Sequence, residues 1–100
     1  MDVEQVGGGA AGYMWRLMRP DAPQEDVDAL DREAETPGQA VYAAIERPSV
    51  LGLALLRLEE GSVRVLGAVE GRDDVRAALI ERAQHDAAAA GIADLPRIEP

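Results

Sequence analysis

Residues 63–91 read VRVLGAVEGRDDVRAALIERAQHDAAAAG, and this stretch decides the fold. It starts as an apolar strand over 63–69, VRVLGAV. A short charged loop, EGRDD, follows. One long amphipathic helix then runs from Asp73 or Asp74 to about Ala90. Val75, Leu79, Ala83 and Ala87 recur at four-residue spacing, with Ala78 and Ala90 beside them, so they share one helical face. Either aspartate suits the N-cap, and Gly91 suits the residue just past the helix end. Unpaired backbone N–H groups point outward where a strand hands over to a helix, and such a place commonly holds an anion. Here Asp73 and Asp74 stand where an anion site would want glycine.

Working outward, residues 39–46 (QAVYAAIE) alternate, with Val41, Ala43 and Ile45 on one side. Residues 50–58 (VLGLALLRL) are almost continuously apolar, as expected of a central strand covered on both faces. The links at Pro48-Ser49 and at residues 59–62 are short enough for hairpins, so the three strands should form an antiparallel meander. Upstream, residues 21–35 predict a short acidic helix. Pro23 suits its first turn, Glu25 and Asp26 suit its positive end, and Val27, Leu30 and Ala34 fall on one face. Residues 36–38, Thr-Pro-Gly, stop it. The partial alternation of YMWRLMR predicts a first strand over 13–19, and the glycine-rich residues 1–12 a flexible leader to a single domain spanning 13–100. A closing strand is expected within 92–98, held to an edge or a bend by Pro96.

The totals narrow the function classes. One hundred residues make one domain. With 47% hydrophobic residues but no Phe and one Trp, the core should be aliphatic, with Trp15 and Tyr42 as its largest pieces. No cysteine is present, which removes disulfides, thiolate metal sites and a cysteine nucleophile. With one histidine, His85, a zinc site is not expected, and no metal is expected. Ser49 and Ser62 are turn residues without a base nearby in sequence. The formal net charge of −9 argues against nucleic acid and favours cationic or amine substrates. No apolar run approaches the roughly 20 residues of a membrane span. A cytoplasmic protein is the expectation.

The order strand, short helix, three-strand meander, long helix and strand resembles the GNAT (N-acetyltransferase) superfamily. Particular residues carry the resemblance. WRLMRPDAPQEDVDAL, 15–30, is similar to that family's first strand and first helix. YAAIERPSVLGLALLRL, 42–58, is similar to its second and third strands, and Ala78-Leu79-Ile80 onward to Gly91 to its long helix. The resemblance implies an α+β fold, a mostly antiparallel sheet with the long helix packed on it. It also implies that the loop before that helix binds acyl-CoA, with acetyl-CoA as the simplest cofactor.

The family's diphosphate loop reads R/Q-x-x-G-x-G/A, and two registers carry it over. In one, Gly71 replaces the Arg/Gln, Asp74 the first glycine and Arg76 the second. In the other, Arg72 opens the motif, Val75 replaces the first glycine and Ala77 satisfies the second position. Neither keeps the central glycine, whose missing Cβ lets backbone approach an anion. Gly67 and Ala68 fall where the cofactor's pantetheine arm would lie, and Glu70 is the nearest carboxylate for a general base. The family also continues beyond the elements found here into a further helix and strands, often with a tyrosine acid; Tyr13 and Tyr42 lie too early for that role. Two readings stand at this level. One is transfer of an acyl group from CoA to an amine. The other is a catalytically inactive binding or assembly module that self-associates through an exposed sheet edge.

Overall fold

The computed structural model describes residues 1–92, 94 and 96–99. Five strands form one sheet in the order β1-β2-β3-β4-β5. They are β1 (Asp2–Val6), β2 (Gln39–Glu46), β3 (Ser49–Arg57), β4 (Ser62–Ala68) and β5 (Arg97–Glu99). The first four pair antiparallel, and β5 lies parallel to β4. Helices α1 (Ala10–Met18) and α2 (Gln24–Glu35) cover one face, and α3 (Asp73–Ala89) covers the other. The α+β architecture expected from the sequence is the one observed.

Side-chain alternation builds the two cores. From β2, Ala40, Tyr42 and Ala44 join Val75, Leu79, Ala83 and Ala87 of α3. Val41, Ala43 and Ile45 point the other way, toward Ala11 and Leu30 of the first two helices. The continuous apolar run of β3 is explained by its central place, since it is buried on both sides. The long helix can approach because β3 carries Gly52. A Cβ there would stand 2.8 Å from Val75 Cγ1 and 3.1 Å from the Gly67 carbonyl oxygen.

Two expectations at the N-terminal end are corrected. Residues 13–18 are helical, not a strand, and Arg19 is the C-cap. Ala11, Met14, Trp15 and Met18 recur at the helical period and face the second core, and Met, Leu and Arg are strong helix formers. The first strand lies one element earlier. Residues 2–6, expected within a flexible leader, pair with β2 from Asp2↔Ile45 to Val6↔Val41. The glycines after it serve a tight junction. Gly9 and Gly12 donate their N–H groups to Asp31 Oδ1 at 2.8 and 2.7 Å, and Gly8 donates to Glu35 Oε1 at 2.8 Å. These α2 carboxylates satisfy backbone donors at the start of α1, which has no side-chain cap of its own.

At the other end, Arg72 occupies the N-cap position of α3 without a side-chain cap bond, so neither aspartate caps the helix. Both lie in its first turn, where negative charge favours the dipole. Gly91, at φ 91°, closes the helix as expected; its N–H donates to the Ala88 carbonyl and that of Ile92 to the Ala87 carbonyl. The closing strand is shorter than expected, and Ala93 and Leu95 of the expected span lie outside the described residues.

Candidate functional site

The site is built around β4. Leu53 faces Gly67 and Ala54 faces Val65, so Leu66 is one residue extra on β4. Such a bulge leaves the extra residue without a regular ladder partner and bends the strand. It also turns both Leu66 and Gly67 toward α1: Leu66 joins the second core, and a Cβ at Gly67 would meet Trp15 Cζ3 at 3.4 Å and Met18 Cε at 3.5 Å. On its other edge β4 pairs with β5 only from Ser62 to Arg64. Beyond Arg64 that edge has no strand partner among the described residues.

A cleft of about 460 Å³ opens between α2 and β4, with Trp15, Asp26, Leu30 and Glu33 on one side and Arg64 and Leu66 on the other. Trp15 was expected as a core anchor; it is half-buried and borders this cleft and a smaller one of about 390 Å³ beside the α1–α2 loop. The Arg19 guanidinium lies 5.8 Å from the indole centroid. Glu33 is engaged by Arg57, Nη2 to Oε1 at 2.7 Å, and this hydrogen bond raises the Arg57 guanidinium above its ordinary range. Asp26 is exposed and makes no ion pair among the described residues.

The turn from β4 into α3 places the residues singled out in the sequence. Gly67 and Ala68 are half-buried near the free edge of β4. Gly71, at φ 78°, makes the turn, and the Arg72 N–H donates to the Val69 carbonyl at 3.2 Å. Val75 is fully buried against the sheet, whereas Asp74, Arg76 and Ala77 are exposed. Arg72 grips Asp74 in a fork, Nε to Oδ1 at 2.9 Å and Nη2 to Oδ2 at 3.0 Å. That hydrogen-bonded pair holds the Asp74 carboxyl below its usual range and the Arg72 guanidinium above its own.

Glu70 is exposed in the turn and does not line the cleft. The acids that do are Asp26 and Glu33, which the sequence reading merged into a generally acidic helix. Their signal was present: residues 26, 29, 30 and 33 follow the helical period, with Ala29 and Leu30 flanked by two acids. Arg64 and the bulge carried no comparable signal. His85 is exposed on α3 beside Asp86, and no cluster of metal-binding side chains occurs among the described residues. No described helix is long and apolar enough to cross a membrane.

The fold as a whole has structural counterparts among solved proteins. The chain superposes on AAC(6')-Iy, solved with the bisubstrate analogue CoA-S-monomethyl-acetylneamine. The TM-score is 0.74 at 15% identity, over 99% of this chain and 78% of that one. This is the GNAT fold. The aminoglycoside 6'-N-acetyltransferase from Enterococcus faecium shares it, with a TM-score of 0.65 at 16% identity over 91% of this chain and 57% of its own. No protein-family model and no curated protein sequence matches the chain. The backbone geometry bears out the GNAT resemblance read from the sequence. Its first strand here is β1, with two helices between β1 and β2 where the sequence suggested one.

Proposed function

We propose that this domain binds acyl-CoA, with acetyl-CoA the simplest case, along β4 and the start of α3, and transfers the acyl group to an amine held in the α2–β4 cleft. The observation that carries the reading is the bulge at Leu66, which joins the unpaired edge of β4 to the cleft beside Trp15. The cofactor-bound AAC(6')-Iy of the same fold supports it.

The residues fit the cofactor. The edge over residues 65–68, which has no strand partner among the described residues, suits an amide-bearing chain, which can add to a sheet as another strand would. Gly67 and Ala68 leave that edge uncluttered. Backbone N–H groups in the first turn of α3, with Arg72 and Arg76 nearby, suit a diphosphate. Bound there, the cofactor supplies a thioester, so that the amine gains the acyl group, the carbon–sulfur bond breaks and the sulfur leaves as a thiol. Trp15 and Leu66 exclude water from the joint between edge and cleft. Asp26 attracts the ammonium; the neutral amine attacks, and the proton it loses passes to the leaving sulfur.

The test is thermal unfolding with acetyl-CoA, with a thiol-release assay alongside. A ligand at 100 times its Kd adds about 2.7 kcal/mol, and each kcal/mol raises Tm by roughly 4–8 °C in a domain of this size. No shift at millimolar acetyl-CoA and no thiol release with any amine would overturn this reading.

The Arg72–Asp74 fork favours a second reading. It spends the nearer arginine on an acid at the place where a phosphate would bind. On that reading the fold is kept as a non-catalytic binding or assembly module that self-associates through its sheet edge. Light scattering tests it, and a strict monomer at high concentration would count against it.

A further inference from the structure

We infer that the α2–β4 cleft takes a zwitterion with an apolar body, an α-amino acid carrying an aliphatic or aromatic side chain, and not a polycationic amine. This deepens the transferase reading and rests on it for the fate of the amine, but its binding claim can be tested without the cofactor.

The argument is a charge inventory. The acidic chain as a whole attracts cations, but the cleft itself is balanced. Glu33, one of its two carboxylates, is committed to Arg57 at 2.7 Å. Asp26 is left to receive one ammonium. On the β4 side Arg64 is exposed and makes no ion pair among the described residues. Arg19, set against the Trp15 ring, and Asp21 both line the smaller neighbouring cleft and leave that end without net charge. A polyamine placing one ammonium at Asp26 would bring its others toward Arg64 and be repelled. A ligand with one ammonium and one carboxylate satisfies both walls, and Arg64 offers the carboxylate a forked donor. Trp15 and Leu30 beside Asp26 and Leu66 beside Arg64 give both walls an apolar part, so the side chain that branches from the charged carbon should be apolar. The cleft volume of about 460 Å³ falls within the range of small-molecule sites.

Trp15 is the single tryptophan of the chain, so its fluorescence reports the cleft directly. The full chain is titrated with L-leucine, with L-leucinamide, which lacks the carboxylate, and with spermidine. Leucine should bind about tenfold more tightly than leucinamide, the size expected of one charged hydrogen-bonded contact, and more tightly than spermidine. Arg64→Gln should abolish the preference for leucine over leucinamide. Asp26→Asn should weaken both by a similar factor. Spermidine binding more tightly than leucine, no response to leucine at tens of millimolar, or an Arg64→Gln protein that keeps the preference would each overturn the inference. Should a variant fail to fold, the ranking of the three ligands on the unaltered chain decides alone. Thiol release from acetyl-CoA is read separately: leucine binding without thiol release would sink the transferase reading and leave the cleft assignment standing.

Discussion

Gly12 on α1 and Asp31 on α2 form one unit. The Gly12 N–H donates to Asp31 Oδ1 at 2.7 Å, and a Cβ at position 12 would stand 2.5 Å from Oδ2. Oδ1 also accepts from Gly9, so Asp31 acts as a cap supplied by a neighbouring helix. Asp31→Ala should therefore cost about 1–2 kcal/mol, the range of a lost N-cap. Gly12→Ala should cost a similar amount by pushing the carboxylate off both donors. Urea denaturation checks both. An Asp31→Ala chain as stable as the parent would show that the cap contributes nothing.

The contact of Gly52 with Val75 sets where α3 begins. Gly52→Ala puts a methyl group 2.8 Å from Val75 Cγ1, 3.0 Å from Leu79 Cδ1 and 3.1 Å from a backbone carbonyl. Backbone cannot yield as a flexible side-chain tip does, so the helix must move. We expect a loss of about 1–3 kcal/mol, as for other overpacked cores, together with weaker acetyl-CoA binding. Denaturation and calorimetric titration on the same preparation measure the two effects.

Tyr42 makes stability depend on pH at both ends. Its buried hydroxyl donates to Asp86 Oδ2 at 2.7 Å. Burial, then that hydrogen bond, raises the phenol far above its ordinary pKa. The folded chain thus holds a proton that the unfolded chain releases near pH 10, so stability is full below that pH and falls as pH rises beyond it. Asp86 behaves oppositely. Burial pushes its carboxyl up, but hydrogen bonds from Tyr42 and His85 and the charge of Arg82 outweigh it and leave the pKa lowered. Its share of stability is present above about pH 4 and is lost as pH falls through the lowered value. Tyr42→Phe should cost about 1 kcal/mol at neutral pH and flatten the alkaline limb of a Tm–pH curve. An unchanged alkaline limb would contradict this account.

Asp74 is the departure with the clearest reading. Asp74→Gly removes a carboxylate from the first turn of α3 and releases Arg72 from its fork. Acetyl-CoA should then bind severalfold more tightly, since like charges close together at a protein surface repel each other. The helix should lose a little of its dipole stabilisation. Calorimetric titration measures the first effect, and weaker cofactor binding would show that the fork assists the site.

The elements readable from sequence were those whose pattern depends on the chain alone. The three central strands were located to within a residue or so, because burial on two faces leaves an unbroken apolar run in β3. The four-residue spacing of Val75, Leu79, Ala83 and Ala87 gave α3. One failure was a misread period, since Ala11, Met14, Trp15 and Met18 already recur as on a helix; the other came from tertiary partners. Residues 2–6 form a strand only because β2 is there to pair with them, from Asp2↔Ile45 to Val6↔Val41, and Gly8 and Gly9 look slack until Glu35 and Asp31 arrive to take their N–H groups. The cofactor side of the candidate site was legible as a loop and a helix start. The cleft was not, since it depends on a one-residue bulge that brings Leu66 and Gly67 to α1.

The borrowed cap on α1 bears on how the chain acquires its structure. A nine-residue helix is too short to persist alone in water, and its donors wait for carboxylates at 31 and 35. Its preceding strand waits still longer, for residues 41–45. During synthesis this segment is thus fixed in place only after residues 41–45 have emerged, and until the hairpin of β2 and β3 forms it stays open to proteases and chaperones.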